Sequence, residues 1–193
     1  MGHRHDHEWL ETFDGEGADR YDSHARLLRG LHERTARRVA AILPRGGRYL
    51  DVGTGPGTLP SRVAALRPDV AVTGVDVSPR MVEIASRRLA GVADPDRGRV
   101  LLGDAAALPV DTGTADVLTA VLTIHHWVDL EAGIAELGRA LAPGGTAMVV
   151  EMRGPARHVA RALRDAGMPV ERRAAWAFGL PVLARLSGRP AAG

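Results

Sequence analysis

The chain has 193 residues, 45% of them hydrophobic and 25% charged, the proportions of one globular domain able to bury a core. It has no cysteine, which excludes disulfide staples, thiolate metal sites and cysteine nucleophiles and fits a reducing cytoplasm. No stretch of eighteen apolar residues and no apolar segment of a secretory signal occurs, so a soluble intracellular protein with no membrane partner is expected.

All 25 basic residues are Arg, and the net charge is +2. Lys, Asn and Gln are missing while Ala and Gly are abundant, the bias of a GC-rich bacterial genome. From Arg153 onward eight Arg face only Asp165 and Glu171, a local balance of +6, against −4 for the remainder. Arg157, Arg161 and Arg164 fall on one helical face with little aromatic interleaving, so a solvated face is expected there and nucleic acid is a disfavoured partner.

Residues 1–18 are polar and without period, which reads as a mobile leader. His3, His5 and His7 alternate within it, a pattern without the geometry of a defined metal site, so no metal is expected. From 19 to 43 apolar residues including Tyr21, Leu27, Leu28, Leu31, Val39 and Ile42 recur at helical spacing, and Pro44 with Gly46-Gly47 ends the run. This predicts an amphipathic helical arm.

A short strand at 48–52 then runs into Gly53-Thr54-Gly55-Pro56-Gly57 and a helix over 58–66. The alternation continues with a strand at 70–76, a helix at 79–89, strands at 99–102 and 115–122, a helix at 130–141, a strand at 146–151 and a helix at 156–166. Segments 170–178 and 180–186, divided by Gly179, predict a terminal hairpin. The apolar run Val117 to Leu122 predicts burial on both faces, as in a parallel sheet covered by helices. No repeat or linker divides the chain, so one domain is expected over 19–193, with a core at 48–151 and a helix plus hairpin at 152–193.

Glycines after a strand let the chain turn tightly and let a ligand approach main-chain N–H groups. The loop at 53–57 is therefore a candidate ligand cradle at the carboxyl end of its strand, where open α/β sheets bind ligands. Asp76 ends the next strand, placed to accept from the two hydroxyls of a ribose, and Asp104 follows the third, placed to accept from an exocyclic amine. Asp51, Asp76 and Asp104 at successive strand ends point to a nucleoside-bearing ligand. A dinucleotide fingerprint needs glycine at position 58, which is Thr58, so a nicotinamide oxidoreductase is the weaker reading.

Three motifs, Leu50-Asp51-Val52-Gly53-Thr54-Gly55-Pro56-Gly57, Gly74-Val75-Asp76-Val77-Ser78-Pro79-Arg80-Met81 and Gly103-Asp104-Ala105-Ala106-Ala107-Leu108-Pro109, resemble those of the class I S-adenosylmethionine-dependent methyltransferases, in particular the small UbiE-like, type 11 group. The later run Leu137-Gly138-Arg139-Ala140-Leu141-Ala142-Pro143-Gly144-Gly145 adds to the match, which covers about residues 48–151. The resemblance implies a Rossmann-like, three-layer α/β sandwich whose seven-stranded, mostly parallel sheet has the order 3-2-1-4-5-7-6, with strand 7 antiparallel.

It also implies roles around S-adenosyl-L-methionine and its product S-adenosyl-L-homocysteine. Asp51 and the backbone of Gly53, Gly55 and Gly57 would surround the methionyl part, and Asp76 would bind the ribose. Val77 and Met81 would flank adenine, Asp104 and Ala105 would meet its edge, and the backbone of Val121 and Leu122 would complete the cradle. Tyr21 resembles the family's N-terminal aromatic that closes over the cofactor.

Methyl transfer is an in-line displacement that needs alignment and water exclusion, and no nucleophilic side chain. A hydroxyl, ammonium or carbon-acid acceptor must also lose a proton, for which a neutral imidazole suits neutral pH. His125 and His126, in Leu122-Thr123-Ile124-His125-His126-Trp127, stand beside the expected transfer point as candidate bases or packing residues. The expected activity is methyl transfer to a small-molecule acceptor, and no pattern selects an oligomeric state. Two alternatives stay open: a protein of the same fold that binds the cofactor for non-methylating chemistry or structurally, and a nucleic-acid-binding protein using the basic C-terminal end.

Overall fold

A computed structural model describes residues 29–177 and 180–188. The predicted leader at 1–18, the first part of the arm with Tyr21, and Phe178 lie outside the described residues. The elements in chain order are α1 (Arg29–Ile42), β1 (Arg48–Val52), α2 (Thr58–Leu66), β2 (Ala71–Asp76), α3 (Pro79–Ala90), β3 (Gly98–Leu102), β4 (Ala115–Val121), a 3-10 turn (Ile124–His126), α4 (Leu130–Ala140), β5 (Leu141–Met152), α5 (Arg153–Asp165), β6 (Val170–Ala177) and β7 (Leu180–Gly188).

Local chemistry fixes the helix ends. Ser78 caps α3 by accepting from the Met81 N–H, Pro79 fills the first turn where no N–H is needed, and Arg87 and Arg88 sit by the negative end of the dipole. Met81, Ala85 and Leu89, four apart, form its buried face. Asp129 caps α4 through the Ala132 N–H at 2.9 Å, and Gly133, Ile134, Leu137 and Ala140 are buried along it.

The strands form one sheet in the order β3-β2-β1-β4-β5-β7-β6. β1 to β5 pair in parallel, and β7 lies antiparallel to both β5 and β6. Side chains alternate across it. Tyr49, Val72, Val117 and Met148 pack under α1, α2 and α3 through Val39, Leu59, Val63 and Leu89. Leu50, Leu118, Ala120 and Val149 pack on the other face against Ile134, Leu137, Val159 and Leu163 of α4 and α5. Burying one such aliphatic side chain contributes about 1.5–3 kcal/mol, so the three layers are held mainly by these two apolar interfaces.

The structure departs from the sequence reading at several element ends, of which three have a clear cause. β5 begins at Leu141, five residues before the predicted start, because Leu141 already pairs with Ala115 and a register shift before Val117 absorbs the Pro-Gly-Gly segment that reads as a turn. α5 begins at Arg153 because Pro155 falls in its first turn, where proline is tolerated. Leu122 leaves β4 with φ at 54°, and is the single non-glycine residue with positive φ among those described. That left-handed turn costs about 1 kcal/mol and ends the strand one residue early.

The loop after β1 uses its glycines literally. Gly53, Gly55 and Gly57 have φ of 67°, 52° and 73°. At Gly57 an added Cβ would also stand 2.8 Å from Cα and Cβ of Ala85, so α3 leaves no room for a side chain. Gly57→Ala is therefore expected to lower unfolding free energy by about 2 kcal/mol or more in chemical denaturation. An unchanged midpoint would contradict this packing.

Candidate functional site

Chain connections leave the sheet in opposite directions on either side of β1 and β4, and such a switch point opens a crevice at the strands' carboxyl ends. Here the cleft encloses about 750 Å³ counted to its open mouth. Its walls are Gly53 and Gly55 after β1; Asp76, Val77, Ser78 and Met81 at the end of β2 and start of α3; Gly103, Asp104 and Ala105 after β3; and Thr123, His126, Trp127 and Val128 after β4. Two carboxylates and no guanidinium are among these residues.

Asp76 is the polar centre. Its Oδ2 accepts from the Gly55 N–H at 2.7 Å and its Oδ1 from the Ser78 N–H at 3.0 Å. A carboxylate offers about four acceptor positions, more than these backbone donors fill. Burial pushes its pKa up from the ordinary carboxylate value, against the pull of the Ser78, Gly55 and Val77 N–H groups. Asp104 Oδ1 accepts from the Ala106 N–H at 2.9 Å, which shapes the turn after β3 and sets its carboxylate at the rim.

Of the residues expected in the site, Gly53, Gly55, Asp76, Val77, Met81, Asp104, Ala105 and His126 line the cleft, whereas Asp51, Gly57, Val121, Leu122 and His125 do not. Each of the latter has a physical reason. Gly57 is pressed against α3, and Val121 and Leu122 pack with Leu31 and Val150. Asp51 is drawn beneath the glycine loop, 3% exposed, where Thr54 Oγ1 donates to its Oδ2 at 2.8 Å and Thr119 Oγ1 donates to its Oδ1. Since the one Thr119 proton goes to Asp51, the Tyr49 hydroxyl donates to Thr119, at 2.6 Å.

His125 turns instead to Glu151, the last residue but one of β5. Its Nδ1 lies 2.9 and 3.0 Å from Glu151 Oε1 and Oε2, a geometry in which Nδ1 carries the proton. Glu151 is fully buried and also accepts from the Met152 N–H at 2.7 Å. The His125 and His126 rings meet at 4.0 Å between centroids, tilted by 44°. Burial, and then the neighbouring His125, hold the His126 imidazole below the usual histidine range, with Glu151 opposing.

Sequence reading missed Glu151 as a site residue. The available signal was a single carboxylate closing the apolar run Ala147-Met148-Val149-Val150. It also missed Thr123, whose hydroxyl lies 2.0 Å from where a Gly53 Cβ would be, so that threonine and glycine close the cleft floor as a pair. Among the described residues no three His, Asp or Glu groups converge as a metal site, and no helix is long and apolar enough to cross a membrane.

A family profile described as a methyltransferase domain matches residues 50–145. The chain is 38% identical over 144 residues to the ubiquinone/menaquinone biosynthesis C-methyltransferase UbiE of Geobacter sulfurreducens, covering 72% of this chain and 56% of that protein. Residues 50–145 are a methyltransferase domain. The chain is also 37% identical to the demethylmenaquinone methyltransferase of Thermus thermophilus over 72% of this chain and 63% of that one, so it spans about three fifths of the length of these UbiE-like relatives. Among solved structures, a TehB-like SAM-dependent methyltransferase from Corynebacterium glutamicum superposes with a TM-score of 0.72 at 19% identity, covering 90% of this chain and 97% of that one. The [4+2]-cyclase SpnF superposes at 0.73 and 22%, covering 83% and 81%. Both structural likenesses concern the three-layer fold.

Burial pushes the Asp51 carboxyl up from 3.8 to about 6, while hydroxyls of Thr119, Thr54 and Tyr49 pull it down. Between those values the unfolded chain releases this proton and the folded chain keeps it, so Asp51 makes folding less favourable as pH rises from about 4 to about 6. Chemical denaturation of wild type and Asp51→Asn across that range is expected to show wild type losing stability relative to the variant, then a constant difference above it. Parallel curves would contradict a buried, proton-retaining Asp51.

Proposed function

We propose that this methyltransferase binds S-adenosyl-L-methionine in the cleft and, in the cytoplasm, transfers the methyl group to a small ring of quinone type, the acceptor class in the names of the UbiE and demethylmenaquinone relatives. The observation that carries the reading is the charge of the cleft: two carboxylates and no guanidinium suit a cationic sulfonium and repel a diphosphate. Bound there, the cofactor supplies an electrophilic methyl group on positively charged sulfur.

The chain's own residues do the rest. Asp76 keeps acceptor capacity for the ribose diol, and Val77, Met81 and Ala105 offer an apolar slot for the base with Asp104 at its edge. Gly53 and Gly55 bring main chain close to the amino-acid end of the cofactor. The proton lost by the acceptor goes to the imidazole pair after β4. Glu151 holds the proton of His125 on Nδ1 and leaves Nε2 as that ring's acceptor, while His126 faces the cleft in its neutral form. On this reading one domain spans 19–193 and the Arg-rich face of α5 is solvated.

Formation of S-adenosyl-L-homocysteine from S-adenosyl-L-methionine with 1,4-naphthohydroquinone as acceptor tests the activity. Its absence across quinol and phenol acceptors would favour the second reading, a cofactor-binding protein with other chemistry, as the name of the cyclase sharing the fold illustrates. Asp76→Ala should weaken S-adenosyl-L-homocysteine binding roughly 10- to 100-fold by calorimetry. Replacing the catalytic imidazole by Ala should lower kcat by about 10²- to 10⁴-fold with binding of the product unchanged. Wild-type rates in both His125→Ala and His126→Ala would remove the base.

A further inference from the structure

Trp127 follows the 3-10 turn and forms part of the cleft wall beside Gly103, Asp104 and Ala105. Behind it stands Gly133, inside α4. A Cβ built on Gly133 would lie 2.4 Å from Cε3 and 2.7 Å from Cζ3 of the Trp127 ring. Glycine weakens a helix interior, and nothing in the backbone of α4 requires it here, since the positive-φ glycines all lie elsewhere. The residue at 133 is thus small because the indole occupies its place.

We infer that Gly133 is a specificity-determining position: the socket it leaves in α4 seats the Trp127 ring and thereby sets the width of the slot that takes a flat purine. The ring has α4 behind it and the cleft before it. Carbon atoms settle at about 3.5–4.0 Å, so a methyl group at 133 must drive the indole toward the cleft by about 1 Å. That displacement narrows the cleft whose wall Trp127 shares with Met81, where the base is assigned. The inference rests on the reading of the cleft as the adenosyl site, and Gly133 acts only through Trp127, as a positioning residue.

The test is a double-mutant cycle read by calorimetric binding of S-adenosyl-L-homocysteine and by thermal melting, on the full chain, for wild type, Gly133→Ala, Trp127→Leu and the pair. The expected result is a loss of affinity of roughly tenfold or more for Gly133→Ala, the scale at which a shaped pocket rejects one extra methyl-sized group. In the Trp127→Leu background, where the collision is absent, Gly133→Ala should leave affinity unchanged. Equal affinity of wild type and Gly133→Ala, or the same loss in both backgrounds, overturns the socket. If Gly133→Ala alone does not fold, Trp127→Leu decides: weaker binding with a folded melt supports the wall, and unchanged binding overturns it. Failure of the wild type to bind separates out a failure of the adenosyl reading itself, and the socket falls with it.

Discussion

Two main-chain N–H groups, from Gly55 and Ser78, converge on the Asp76 carboxylate, and the site is organised around that convergence. Gly55 belongs to the loop after β1, Ser78 to the cap of α3, and Asp76 to the end of β2, so one side chain ties three elements at a single point. A buried carboxylate is costly unless donors meet it. Two donors from the chain reduce that cost without consuming all its acceptor positions, which leaves a preformed and still hungry acceptor in the cleft. The Arg88 guanidinium donates to the Pro56 carbonyl and to Thr58 Oγ1, and holds the far end of the same loop against α3.

A second carboxylate, Asp51, lies one layer deeper and does different work. Hydroxyls of Thr54 and Thr119 meet it, so it joins β1, β4 and the glycine loop inside the sheet. Its distance from the cleft means that the acidic character of the mouth comes from Asp76 and Asp104. Across the cleft, Glu151 is buried with His125 for a partner, and the pair braces the second ring, His126, at the wall. Three buried or half-buried acids thus have three settings: Asp51 inside the sheet, Asp76 in the cleft wall and Glu151 against the His125 ring.

Much of this was legible in the chain itself. The apolar runs of β1, β2 and β4, the glycines with positive φ, and the acids closing β2 and β3 are local signals, and the physics that reads them is local too. What stayed hidden depends on distant partners. Glu151 and His125 are 26 residues apart and meet because β4 and β5 pair in parallel, with Val121 opposite Val150. Thr123 over Gly53 joins the segment after β4 to a loop far from it in sequence, and Trp127 over Gly133, though six residues apart, requires the chain to fold the ring back onto α4. Asp51 looked like a ligand-facing acid because it precedes the glycines, but a residue one position inside a strand end points into the layer and finds Thr119 first.

Ligand choice in the cleft depends on its charge preference, and two cofactors that share an adenosine but carry opposite charge on its 5′ substituent, a sulfonium in one and a diphosphate in the other, probe it most directly. Calorimetric titration of the full chain, side by side, with S-adenosyl-L-methionine and with nicotinamide adenine dinucleotide should give saturable one-site binding for the sulfonium and no heat for the diphosphate. Tighter binding of the dinucleotide, or no binding of either, would contradict it.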